Sequence, residues 1–152
     1  MSVYHRVHRG HRGRFVCLII SVISVANFAC GIPNLESPAC SEARVAAKQF
    51  YSFHFGNEMR PSAENLKARE RFLTQAFYES LAAANESKTD IFTASEDPPT
   101  TFKIGECKVI DKTKTDIQVQ IYWRDDAQTV QKEVHVETVK TGEDWLINKV
   151  GP

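Results

Sequence analysis

The sequence predicts an α+β domain in which N-terminal helices lie on one face of an antiparallel sheet of about four strands. Three observations carry this. Apolar residues recur at helical spacing between Ala43 and Leu81, the period falls to two from Phe102 onward, and the alternating runs are joined by short turn-forming stretches. Helices first and hairpin-linked strands afterwards is the order in which helices segregate to one side of an antiparallel sheet. The chain contains no internal repeat.

The first helix is expected to begin at Ser41, a good N-cap, with Glu42 in its first turn. Ala43, Ala46, Ala47, Phe50, Phe53 and His54 then form its apolar stripe, which stops near Gly56-Asn57. Pro61 and Ser62 restart the chain. Leu66, Phe72, Leu73, Ala76, Phe77 and Leu81 describe one or two further helices, with Thr74 placed to cap the last. On this reading Phe77 and Leu81 share a stripe buried against the sheet. The stretch around DIFTASEDPPTT, within residues 86–101, is a loop.

Phe102, Ile104, Cys107 and Val109 suggest a strand whose facing shifts at Gly105, as a bulge would cause. Residues 111–116 read as a turn. Ile117, Val119, Ile121 and Trp123 then alternate with Gln118, Gln120 and Tyr122 in the clearest strand of the chain. Residues 125–128 turn it back, and a strand over 130–139 points Val134 and Val136 inward. Thr141-Gly142 turns again, and Trp145, Ile147 and Val150 close the last strand.

Ahead of this domain, His5, His8 and His11 interleave with Arg6, Arg9, Arg12 and Arg14, and an uncharged, mostly apolar run follows to Leu35. A positive segment, an apolar segment and small residues at its end make an export signal, so the His/Arg stretch reads as part of that device rather than as a metal site or a nucleic-acid arm. Three processing outcomes fit. Cleavage before Asn27 uses the small residues Ser24 and Ala26. Lipidation of Cys30 uses Phe28-Ala29-Cys30-Gly31, which resembles a bacterial lipobox at Ala29 but not at Asn27 and Phe28. An uncleaved anchor uses the length of the apolar run. All three put the rest of the chain outside the cytoplasm, in the bacterial envelope or secreted. The expected organisation is a signal over residues 1–29, a Pro-containing tether over 30–40 and the domain over 41–152.

The whole chain balances 19 Lys+Arg against 19 Asp+Glu, and loss of the four leader arginines leaves a net charge of −4. A mildly acidic domain has no evident affinity for nucleic acid or anionic lipid. With Cys17 in the leader and Cys30 lipidated, Cys40 and Cys107 form an even pair suited to a disulfide; the alternative is a buried free Cys107 and an exposed Cys40. No C-x-x-C, phosphate-binding glycine loop, serine elbow or H-E-x-x-H is present, so the sequence implies no cofactor and no metal.

The order KQFYSFHF, RERFLTQAFYESL, DIFTASEDPP, FKIGECKV, IQVQIYW and EDWLINKV, covering about residues 41–150, resembles an exported bacterial domain family of unknown function within the nuclear-transport-factor-two-like, or cystatin-like cone, superfamily. The resemblance implies a curved, cone-like sheet, a hollow between sheet and helices, and dimerisation through an outward sheet face, where Tyr122 and His135 are candidates. Tyr51, His54, Tyr78, Trp123 and Trp145 are candidate pocket residues, each with a plain packing role as its alternative; Arg69 reads as a solvated helix charge. Asp90, Glu96 and Asp97 flank the loop over the expected cone mouth. Two functions follow: a non-catalytic envelope module binding a partner protein or a small apolar ligand, and a small lyase or isomerase using an acid with a Tyr or His in the pocket. The second is implied only by what the superfamily hosts.

Overall fold

The structure is a computed structural model, and it describes residues 36–84, 87–124 and 129–152. The leader, Cys30 and the turn at residues 125–128 lie outside the described residues.

Helix α1 spans Pro38–Phe55. It begins ahead of the expected Ser41, inside the segment expected to be a tether. Ser37 is the cap, its side chain accepting from the Cys40 N–H, and Pro38 occupies the first turn, where its missing N–H costs nothing. The local chemistry of Ser-Pro therefore wins over Ser41, and Cys40 lies within the helix. Helix α2 (Ala63–Arg69), capped by Ser62, runs through a single 3-10 turn into α3 (Gln75–Ala83), capped by Thr74. Ala76, expected on the inner stripe, is exposed; the buried line is Leu73 and Phe77, with Leu81 packed beside it.

Four strands follow in a simple antiparallel meander, β1 (Thr101–Asp111), β2 (Lys114–Arg124), β3 (Thr129–Thr141) and β4 (Asp144–Gly151), with the sheet order equal to the chain order. The turn expected over 111–116 is tighter than predicted. Only Lys112 and Thr113 lie between strands, and the Asp111 carboxylate accepts from the Thr113 N–H at 2.7 Å and from its hydroxyl at 3.0 Å. Gly142 closes the last hairpin at φ +65°, a backbone region that suits glycine.

The facing shift predicted at Gly105 is present, since the β1–β2 register slips between Ile104 and Cys107. A Cβ at Gly105 would lie 2.7 Å from Gln118 Oε1 and 3.1 Å from its carbonyl, so a side chain there would push the Gln118 amide aside and crowd its backbone. The slip lets Phe102, Ile104 and Cys107 all turn toward α1, where Cys107 forms a disulfide with Cys40.

The core sits between α1 and the inner sheet face. Ala43, Ala47 and Phe50 of α1 meet Ile117, Val119, Ile121, Val134, Val136, Trp145 and Ile147, all of them buried. Thr115 and Thr138, opposite each other and fully buried, satisfy their hydroxyls mutually at 2.7 Å. The edge at β4 is partly covered, because Thr74 N–H donates to the Ile147 carbonyl.

Candidate functional site

The last turn of α1 brings Tyr51 and His54 inward, and both are fully buried. The His54 ring stacks parallel to Phe50 with centroids 5.7 Å apart. Its two nitrogens have different partners: Arg69 Nε donates to Nδ1 at 2.8 Å, and Nε2 lies 2.8 Å from Asp90 Oδ2. A guanidinium can only donate, so Nδ1 accepts, Nε2 carries the proton and His54 donates to Asp90 as a neutral ring. Arg69, expected in solvent, is 2% exposed. It also donates to the Asn65 carbonyl at 2.6 Å and the Glu58 carbonyl at 2.8 Å, tying α2 and the preceding loop to α1. Burial lowers its pKa, against the opposing pull of Asp90 and Glu58.

Asp90 anchors the loop that follows α3. Its Oδ1 accepts from the Phe92 N–H at 3.1 Å, and its Oδ2 accepts from the Thr93 hydroxyl at 2.7 Å as well as from His54. Tyr51 donates its hydroxyl to the Phe92 carbonyl at 2.8 Å; burial, and then the charge of Asp90, hold its pKa well above the ordinary tyrosine value. Phe92 itself is buried, packing edge-on to Phe50, His54 and Phe77. The loop thus packs its own aromatic ring against α1 and α3.

A half-open cavity of about 610 Å³ lies beside that loop, between α2, α3, residues 87–94 and the end of β4. Leu66, Tyr78, Leu81, Ile91 and Val150 contribute apolar wall, and His54, Arg69 and Asp90 also line it. Of the sequence candidates, His54 and Tyr78 therefore reach the cavity. Tyr51 sits behind it in the core. Trp123 is half-buried at the sheet end, donating to the Asp97 carbonyl at 2.9 Å, and Trp145 donates to Glu42 Oε2 at 2.9 Å. Glu96 and Asp97 are exposed, and Asp90 is the loop acid that is buried. Tyr122 donates to Gln120, and His135, on the outward face, lies 2.8 Å from Asp116. Among the described residues no group of three or more His, Cys, Asp or Glu side chains could hold a metal ion, and no helix is long and apolar enough to cross a membrane.

No family model and no curated protein matches the chain. Among solved structures, a protein of unknown function from Bacteroides thetaiotaomicron superposes with a TM-score of 0.52 at 17% identity, over 74% of this chain and 91% of that one. An Ntf2-like protein involved in plasmid conjugation superposes with a TM-score of 0.47 at 11% identity, over 77% of this chain and 40% of that one. At these identities the likeness concerns the fold alone. Three helical segments followed by a four-stranded meander packed on α1 give the chain an α+β fold that it shares with the Bacteroides protein.

Proposed function

We propose that this is an exported, non-catalytic binding module of the bacterial envelope, and that its ligand is a small, largely apolar molecule held between α2, α3 and the loop over 87–94. One observation supports the reading above others: the cavity walls are apolar, while the acid, imidazole and guanidinium at its floor already engage one another. A cavity of this size with mainly apolar walls and polar groups at its floor and rim suits a small ligand. General acid–base work would need one of those groups free to reach a substrate.

The test is a titration of the folded domain with 1-anilinonaphthalene-8-sulfonate, read by fluorescence. Saturable binding is expected, and Leu66→Trp, which fills the cavity, should abolish it, whereas Val45→Trp on the exposed face of α1 should not. No saturable binding by the native domain, or equal loss in both variants, would sink the reading. Export has its own test in the intact mass of the protein from a bacterial host: a chain starting at Asn27 or an acylated chain starting at Cys30 agrees with it, and a full-length chain confined to the cytosol does not.

A second reading, a lyase- or isomerase-like site, is favoured by the contact between Asp90 and His54 in the cavity wall. It requires that pair to be released to a substrate. His54 ring-nitrogen resonances unmoved on saturating the cavity would count against it.

A further inference from the structure

Resting on that reading of the cavity, we infer that its ligand is an apolar molecule ending in a carboxylate, with Arg69 at the floor and Arg60 at the rim as the groups that select the negative head. The lining side chains carry two cations, Arg60 and Arg69, and one acid, Asp90. Asp90 already accepts at both oxygens, Oδ1 from the Phe92 N–H and Oδ2 from His54 and Thr93, so an ammonium head would find only the second lone pair of Oδ1. Its charge does not meet that of Arg69 directly. The neutral His54 ring stands between them, with one 2.8 Å contact on each side, so the guanidinium is buried without a carboxylate in contact. Its other hydrogen bonds go to two carbonyls, which bring no negative charge, and the Phe53 ring centroid lies 5.9 Å from the guanidinium carbon. A desolvated cation with no carboxylate in contact, Asp90 and Glu58 acting only at a distance, favours an anion nearby more than one in water would.

Arg60 supplies a second cation on the solvent side. It holds the Glu58 carboxylate through Nε and Nη2, at 3.2 and 3.1 Å, which leaves Nη1 to donate to a ligand head. The hydroxyls on the lining, Ser62, Ser87 and Thr89, can donate to the same head. An apolar chain against Leu66, Leu81 and Val150 with a carboxylate toward the two arginines satisfies every one of these groups. A charge-assisted hydrogen bond to such a head is among the stronger polar contacts a site can make.

Displacement of bound 1-anilinonaphthalene-8-sulfonate by decanoate, decan-1-ol and decylamine tests this with the whole domain. Decanoate is expected to displace the dye about ten-fold more effectively than decylamine, the equivalent of one charge-assisted contact. The preference should shrink in Arg60→Ala, an exposed position whose loss spares the core, and return in part in Arg60→Lys. Rising salt should weaken decanoate and leave decan-1-ol unchanged. Equal displacement by all three compounds overturns the assignment of a carboxylate while leaving the apolar cavity standing. A native domain that binds no dye overturns the cavity reading itself.

Discussion

His54 takes part in a chain of contacts that no stretch of sequence displays. Its place on an apolar helical stripe was legible; its partners were not, because Asp90 and Arg69 come from segments 36 and 15 residues away. Arg69 between Ala68 and Glu70 looks like an ordinary solvated charge. It is buried because α2 ends beside the last turn of α1, where the His54 imidazole, the Glu58 carbonyl of the following loop and the Asn65 carbonyl of α2 itself accept from it. His135 makes the opposite case. It was legible as an outward strand residue, and Asp116 beside it raises its pKa above the ordinary 6.5, burial opposing and Glu133 adding to the effect. The native state then binds the proton more tightly than the unfolded chain. The stabilisation is complete below the unfolded value and disappears as pH rises through the raised one. With the side chain 48% exposed, screening keeps it below about 1 kcal/mol. Urea midpoints of native and His135→Gln protein, compared at about pH 5.5 and about pH 8, should differ more at the lower pH; a gap that grows at the higher pH would contradict this sign.

The strands were the most readable elements, since a two-residue period with one buried face leaves little freedom of register. Ile117, Val119 and Ile121 on β2, and Val134 and Val136 on β3, are fully buried as their alternation required. Helix α3 was readable through Phe77 and Leu81. Phe77→Ala should cost about 3–5 kcal/mol in a denaturant titration, as a large aromatic removed from a packed core; a loss under about 1 kcal/mol would mean that α3 does not pack where it is described. The loop over 87–100 was legible only as irregular. Polar and proline-rich, it gave no sign that Phe92 and Thr93 are core residues, because a buried loop has no periodicity and reveals itself only through the partners of its backbone, here Tyr51 and Asp90.

The fold class and strand order were legible across the whole domain, whereas the cavity's walls were not: they depend on the loop over 87–94, which packs Phe92 against α1 and α3 and lines the cavity with Asp90, Ile91 and Phe92. The Cys40–Cys107 disulfide closes a separation of 67 residues, joining the first turn of α1 to β1. Chain-entropy reasoning gives about 4 kcal/mol for a loop of that length. Reduction, or the double change Cys40→Ser and Cys107→Ser, should lower the thermal midpoint accordingly while leaving the far-ultraviolet circular dichroism at low temperature unchanged. An unaltered midpoint would show that the crosslink adds nothing to the packing.

The extra residue that β1 carries between Ile104 and Cys107 has a genetic corollary. Strand faces alternate like the two sides of a coin, and this bulge is the flip that brings a cysteine rather than Glu106 toward α1. Deletion of one codon there would remove the bulge and still set the cysteine opposite Ile117, two positions after Ile104, with its thiol toward α1. The crosslink thus works as a check on strand register: chains that pair β1 with its bulge are sealed on oxidation, and chains that pair the full-length strand in regular alternation, Glu106 inward, are left with two free thiols.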